Sequence, residues 1–198
     1  MYKPKSYEYV FVVLYLVIQN KTNLPEVIII DSETHNDFRG FLRIGYGKEE
    51  LQHIGIHFEI EQINYGYSVH EHTLRGMHFQ EGEYAQAKLV PCLQGALYSV
   101  AVDIRKDSQT YGKWAGEILT SENGKCMYIP KGFAHGYITI QPNTLLQYCV
   151  DVSFHGPSAM AISYRSFYIQ WPCPINENTL SDKDKNAITL EMFTQIYK

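Results

Sequence analysis

Histidine is the side chain whose ordinary pKa best suits it to take and return protons near neutrality. Two of the eight in this chain stand in segments that alternate in polarity. In Leu74-Arg75-Gly76-Met77-His78-Phe79-Gln80, a period of two puts Met77 and Phe79 on one face and His78 and Gln80 on the other. Likewise His135, Tyr137 and Thr139 share a face opposite Gly136, Ile138 and Ile140. Between them in sequence, Tyr98, Val100, Val102 and Ile104 form an apolar face, while Ser99, Ala101 and Asp103 form a small one ending in a carboxylate. Strands with one apolar and one ionisable face either wet the second or enclose it around a ligand. Gly132 and Gly136 on either side of His135, and Gly76 beside Arg75, favour enclosure, because glycine in a strand marks close approach by a ligand or another backbone.

A second chemistry is metal binding. On a strand, His70 and His72 of His70-Glu71-His72 would face the same way, with His78 and His135 following, a pattern superficially similar to metal-dependent cupins. Those proteins place a Glu a few residues after HxH. Here that stretch is Thr73-Leu74-Arg75-Gly76, and Arg75 would repel a divalent cation. The expectation is a surface loop with exposed imidazoles, and no metal.

The elements that would position these groups read as strands at roughly ten-residue spacing. They are predicted at residues 27–30, 57–64, 75–80, 87–92, 97–104, 113–119, 125–129, 135–140, 145–150 and 162–169. Turn signals such as Glu81-Gly82, Gln94-Gly95, Asn123-Gly124 and Pro130-Lys131-Gly132 separate them. Helices are expected at 48–53 and from Ser181 onward. With 198 residues, no repeat and no internal linker, this pattern predicts one all-β sandwich or barrel over 24–198. A net charge of −4 argues against a general nucleic-acid binder, but not against a phosphate-bearing small ligand held by two or three cations. The four cysteines form no CxxC pair and read as packing thiols of a cytoplasmic protein. Residues 1–23 carry an apolar run at 9–18 that is too short to span a bilayer and lacks a cleavage site. It reads as an extra strand or a segment packed on another subunit.

The segments LRGMHFQ (74–80), AQAKLV (85–90), VAVDIR (100–105) and IPKGFAHGY (129–137), with the earlier DFRG (37–40) and the ending WP…LSDKD (171–184), resemble the dTDP-4-dehydrorhamnose 3,5-epimerases in order over roughly 24–186. The resemblance implies a cupin-type double-stranded β-helix, a homodimer, and epimerisation of a nucleotide-linked 4-keto-6-deoxy hexose at C3, C5 or both. Hydrogens beside a ketone are acidic, so a base, a cation for the enolate oxygen and an acid on the opposite face suffice, without metal or redox cofactor. By resemblance His78 is the base, Lys88 lies by the enolate oxygen, and Tyr148 returns the proton. His135 and Asp103 form a supporting pair. Arg75 holds the diphosphate, and Arg39, Gln62 and Asn64 line the nucleotide side.

Three departures stand out. The Asp expected seven residues before Trp171, where it would orient the histidine, is Tyr164. The Glu expected to read the base is Ile44, and Cys149 follows Tyr148 where Lys is usual. The expectation from these is a Tyr164 facing His78 as a neutral acceptor. A second reading follows: a catalytically impaired member serving as a sugar-nucleotide binding or assembly subunit.

Overall fold

Short alternating segments broken by glycine and proline turns leave the backbone strands joined by tight connections. The computed structural model describes residues 17–19, 22 and 24–196. Its strands are β1 (Val17–Gln19), β2 (Ile28–Asp31), β3 (Thr34–Asp37), β4 (Gly40–Arg43), β5 (Gln62–Ser68), β6 (Leu74–Gln80), β7 (Lys88–Gln94), β8 (Ala96–Asp103), β9 (Trp114–Thr120), β10 (Lys125–Ile129), β11 (Phe133–Thr139), β12 (Thr144–Val150) and β13 (Ala159–Ala161). Three short helices accompany them: α1 (Lys48–His53), α2 (Asp182–Lys185) and α3 (Leu190–Ile196). One sheet runs β1-β2-β10-β7-β12-β5 and the other β13-β6-β11-β8-β9, with antiparallel pairing throughout. Among the described residues, strands β3 and β4 pair only with each other.

Alternation explains how the layers bury. Leu97 and Ala101 of β8 point between the sheets, where they meet Val90, Met127, Phe133 and Leu146. Val100 and Val102 point outward, yet they are equally buried, because the chain after β13 folds over that face. Ile162, Tyr164, Phe167, Ile169 and Phe193 form this outer layer. On the other sheet Leu51, Ile56 and Phe58 cover Ile30, Leu89, Cys126 and Cys149. The chain thus carries three apolar layers around two sheets, a jelly-roll barrel.

Two expectations fail locally, and strands β3, β4 and β13 lie outside the predicted set. Strand β5 begins at Gln62 rather than 57, since Ile56 and Phe58 use their alternation to pack on a sheet face instead of pairing. Residues 162–169 form no ladder beyond an isolated bridge from Ile162 to Ile188; their apolar positions serve the outer layer through a 3-10 turn at Tyr164–Ser166. The β3–β4 hairpin was not expected, because it buries almost nothing and so shows no apolar alternation. Helix α1 falls at 48–53, and α2 and α3 lie beyond Ser181. Val17–Gln19 pairs with β2 at the sheet edge, and residues 1–16, 20, 21 and 23 of the expected extension lie outside the described residues. Among the described residues no helix is long and apolar enough to cross a membrane.

Candidate active site

Strict alternation would put Arg75 on the outer face with Met77 and Phe79. A bulge prevents this. His135 pairs with His78 and Tyr137 with Arg75, so two steps on β11 answer three on β6. The extra residue brings Arg75 and His78 to the same side, where both line one cavity of about 310 Å³. Two glycines permit the close approach. A Cβ on Gly76, whose φ is +123°, would lie 2.5 Å from Gly136 Cα and 2.7 Å from the His135 carbonyl oxygen. A Cβ on Gly136 would lie 2.5 Å from the Met77 sulfur.

The cavity also receives Lys88 from β7, His135 and Tyr137 from β11, and Tyr148 from β12. The turn into α2 contributes Ser181, Lys183 and Asp184. His78 Nε2 lies 2.6 Å from Asp184 Oδ1. Burial opposes the Asp184 charge, but the His78 bond, the Ser181 hydroxyl and the Gly76 amide outweigh it, holding the carboxyl below its usual range. An ionised carboxylate only accepts, so Nε2 carries the hydrogen and the lone pair stays on Nδ1. The His78 side chain is 39% exposed and that of Asp184 3%, so an open imidazole stands on a closed carboxylate.

The neighbouring groups divide by charge. Burial pushes Lys88 down to about 8, with Asp151 acting against it. Burial first, then the Lys88 and His78 charges, push His135 down to about 3. That imidazole is neutral, and its Nε2 lies 3.0 Å from the Ser99 hydroxyl. Burial raises the Tyr148 phenol, with Arg75 opposing, so Tyr148 carries its proton at neutral pH. Arg75 gives Nε to Ser68 Oγ at 3.3 Å and Nη2 to the Tyr67 carbonyl at 3.0 Å, which fixes the plane of its guanidinium.

Several expected site residues lie elsewhere. Asp103 does not meet His135: Arg105, Ser108 and Thr110 donate to its carboxylate and hold it ionised against its burial. Tyr164 does not face His78 either. It is buried in the outer layer and gives its hydroxyl proton to Glu177 at 2.6 Å. Arg39 sits on the exposed β3–β4 hairpin paired with Asp37, away from the cavity of its own chain. Gln62 and Asn64 stop short of the cavity wall and bond each other at 2.6 Å, while Gln62 Oε1 accepts the Phe154 amide at 2.9 Å. Phe154 itself lines the cavity and is 64% exposed. His70 and Glu71 lie in the turn between β5 and β6 with His72, whose φ is +58°, so strand alternation does not apply to them. Among the described residues no three His, Cys, Asp or Glu side chains are grouped to hold a metal ion.

Sequence reasoning missed Asp184, Ser181 and Phe154. A signal existed for the first two: Ser181-x-x-Asp184 is a helix-start pattern, and that start brings the carboxylate back under β6. Exposed aromatics carry no comparable mark.

A jelly roll whose cavity joins an acid-backed imidazole, a buried ammonium, a protonated phenol and a fixed guanidinium defines a cupin-type isomerase built for proton transfer beside an anionic ligand. The family model described as dTDP-4-dehydrorhamnose 3,5-epimerase matches residues 21–192. The dTDP-4-dehydrorhamnose 3,5-epimerase of Escherichia coli is 37% identical over 174 residues, 86% of this chain and 93% of that one. A dTDP-6-deoxy-D-glucose-3,5-epimerase from Legionella pneumophila, solved with dTDP-4-keto-L-rhamnose, superposes with a TM-score of 0.84 at 34% identity, covering 90% of this chain and 94% of that one. A 3'-monoepimerase from Streptomyces bikiniensis, solved with dTDP-quinovose, gives 0.80 at 27% identity, covering 93% and 90%. The chain belongs to the dTDP-4-dehydrorhamnose 3,5-epimerase family.

Proposed function

We propose that this protein epimerises a dTDP-linked 4-keto-6-deoxy hexose through an enolate, with His78 as the base. The observation that carries the reading is the 2.6 Å bond from His78 to a buried, ionised Asp184 in a cavity that also holds Tyr148 and Lys88. Nδ1 of His78 takes a proton beside the C4 ketone, and the imidazolium that forms is stabilised by the carboxylate behind it. The Lys88 ammonium supports the enolate oxygen, and the low polarity that depresses its pKa also strengthens that attraction. Tyr148 gives its proton to the carbanion face, and Arg75 takes the diphosphate. Phe154 offers a flat apolar surface at the mouth for the base, anchored through its amide by Gln62.

The reading as an impaired binding subunit rested on a missing orienting acid. Asp184 supplies that acid, so the enzymatic reading is preferred. We assign a homodimer. Among the described residues the hairpin bearing Arg39 pairs with no other strand, and it exposes Phe38, Phe41 and Leu42, while edge strand β5 exposes Ile63, Tyr65 and Tyr67. A second copy covering these surfaces would bring Arg39 to the partner's cavity rather than its own. Light scattering checks the assignment, and a monomer at micromolar concentration sinks it. Four free cysteines fit a reducing compartment, here the cytoplasm.

The decisive experiment is incubation with dTDP-4-keto-6-deoxyglucose in D2O, following deuterium at C3 and C5. Incorporation at either carbon, lost in His78→Asn, supports the reading. No incorporation by the parent with dTDP- or other nucleotide-linked 4-keto sugars replaces it with the binding-subunit alternative.

A further inference from the structure

Asp184 has two carboxylate oxygens, and His78 occupies one. The other, Oδ2, accepts the hydroxyl proton of Ser181 at 2.8 Å. The same Ser181 oxygen accepts the backbone N–H of Asp184 at 3.1 Å, so one hydroxyl ties the residue at both ends. A carboxylate otherwise turns easily about its Cβ–Cγ bond. With only 3% of the Asp184 side chain exposed, water has little room to replace a lost donor.

We infer that Ser181 is a positioning residue for the base, locking the Asp184 carboxylate so that Oδ1 stays aimed at His78 and setting how tightly the pair holds its proton. The inference rests on the epimerase reading for its kinetic consequences. A hydroxyl donating to a carboxylate favours the ionised form. Without it the His78–Asp184 pair binds its proton more tightly, and the base becomes available only at higher pH. The other titratable and charged groups facing the pair are Arg75 on β6, Lys88 on β7, His135 and Tyr137 on β11, Tyr148 on β12 and Lys183 on α2. None of them is altered by substituting Ser181, so a displaced titration reports on the hydroxyl.

A rival account makes Ser181 only the N-cap of α2. Glycine is tolerated at that position nearly as well as serine, whereas alanine is not. Ser181→Gly therefore removes the hydroxyl with little loss of cap, and Ser181→Thr keeps both. For the parent, Ser181→Ala, Ser181→Gly and Ser181→Thr, kcat and KM for C–H exchange are measured against pH, alongside melting temperature. In the Ala and Gly variants kcat falls about tenfold with KM within about twofold, and the acidic limb of the profile rises by about one pH unit. Ser181→Thr returns the limb to the parent's position. A limb unmoved in both Ala and Gly overturns the inference, as does a Thr variant displaced like Ala. NMR titration of the His78 imidazole in the same four proteins reads the displacement without substrate. If the parent turns over no sugar nucleotide, the epimerase reading fails separately, and that titration still decides the role of Ser181.

Discussion

His78 and Asp184 stand 106 residues apart in the chain and meet at 2.6 Å, the imidazole open to the cavity and the carboxylate closed behind it. The pairing joins the middle of a strand to a four-residue helix in the C-terminal wrap. On the proposed reading, the wrap takes part in the chemistry as well as covering the sheet. Asp184→Asn keeps the shape and removes the charge that holds the tautomer and stabilises the imidazolium. The expected result is a fall in kcat of up to about four orders of magnitude, the upper guide from serine hydrolases that lose their orienting carboxylate. Deuterium exchange falls in step, while nucleotide affinity by calorimetry stays within a few-fold. Retention of most exchange would remove Asp184 from the reaction.

Tyr164→Asp tests the same point from the other side. If the missing acid belonged at 164, this change would speed exchange. Tyr164 instead packs among Ile162, Phe167 and Ile169, with its hydroxyl on Glu177 and the Arg165 guanidinium over its ring. Aspartate there loses a buried aromatic ring and places a second carboxylate near Glu177. The expected cost is about 3–5 kcal/mol of stability, the range for removing a buried aromatic side chain, with no gain in exchange. Denaturant melts with exchange rates decide it, and a folded, faster variant would contradict the geometry.

Much of the barrel was legible because burial on one face per strand writes itself as alternation: Met77 and Phe79 against His78 and Gln80, Val100 and Val102 against Ser99 and Ala101. Strand β10 and helix α1 fall where turn residues and apolar spacing place them. Alternation alone would turn Arg75 out of the cavity, since a bulge changes the count without changing the residues; its placement there came from the family resemblance. The resemblance implied Asp103 as a partner for His135, and both stand on adjacent strands; the register pairs Asp103 with Phe133 instead. Alternation gives the face but not the position along it. The Asp184 contact is invisible to periodicity altogether, because it depends on where a loop returns after crossing the sheet.

The depressed Lys88 gives a pH dependence with a definite sign. Its amine is protonated below about 8 and neutral above, so on the proposed reading its support for an enolate oxygen is present at neutrality and lost as pH rises through that value. A basic limb in kcat near pH 8 is expected, and Lys88→Arg, whose guanidinium stays charged, moves it upward. Stability runs the other way. Between about 8 and the ordinary lysine value of 10.5 the unfolded chain binds the proton that the folded chain does not, so the Lys88 contribution to stability rises with pH. Activity falling while that contribution rises would separate Lys88 titration from general alkaline unfolding. A basic limb that stays in place in Lys88→Arg would assign it to another group.

The bulge on β6 makes the last prediction. Arg75 and His78 share a cavity only because Gly76 adds a residue against β11, and Gly76 sits at φ +123° with no space beside it. Alanine there would put its Cβ 2.5 Å from Gly136 Cα and 2.7 Å from the His135 carbonyl oxygen, both backbone atoms that cannot rotate away. Gly82 provides the control. It also has positive φ, +63°, but a Cβ on it meets nothing within 4 Å. Gly82→Ala therefore reports the conformational penalty alone, about 1–2 kcal/mol for a left-handed residue with a side chain. Gly76→Ala adds a φ outside the left-handed well and a clash between two strands, which either separates β6 from β11 or straightens the bulge. Straightening would turn either Arg75 or His78 out of the cavity, so nucleotide affinity or exchange must fall along with the melting temperature. Thermal melts, calorimetric titration with dTDP and D2O exchange on both variants make the comparison. A Gly76→Ala protein as stable as Gly82→Ala, with binding and exchange intact, would show that the strand pair aims these two side chains without the extra residue.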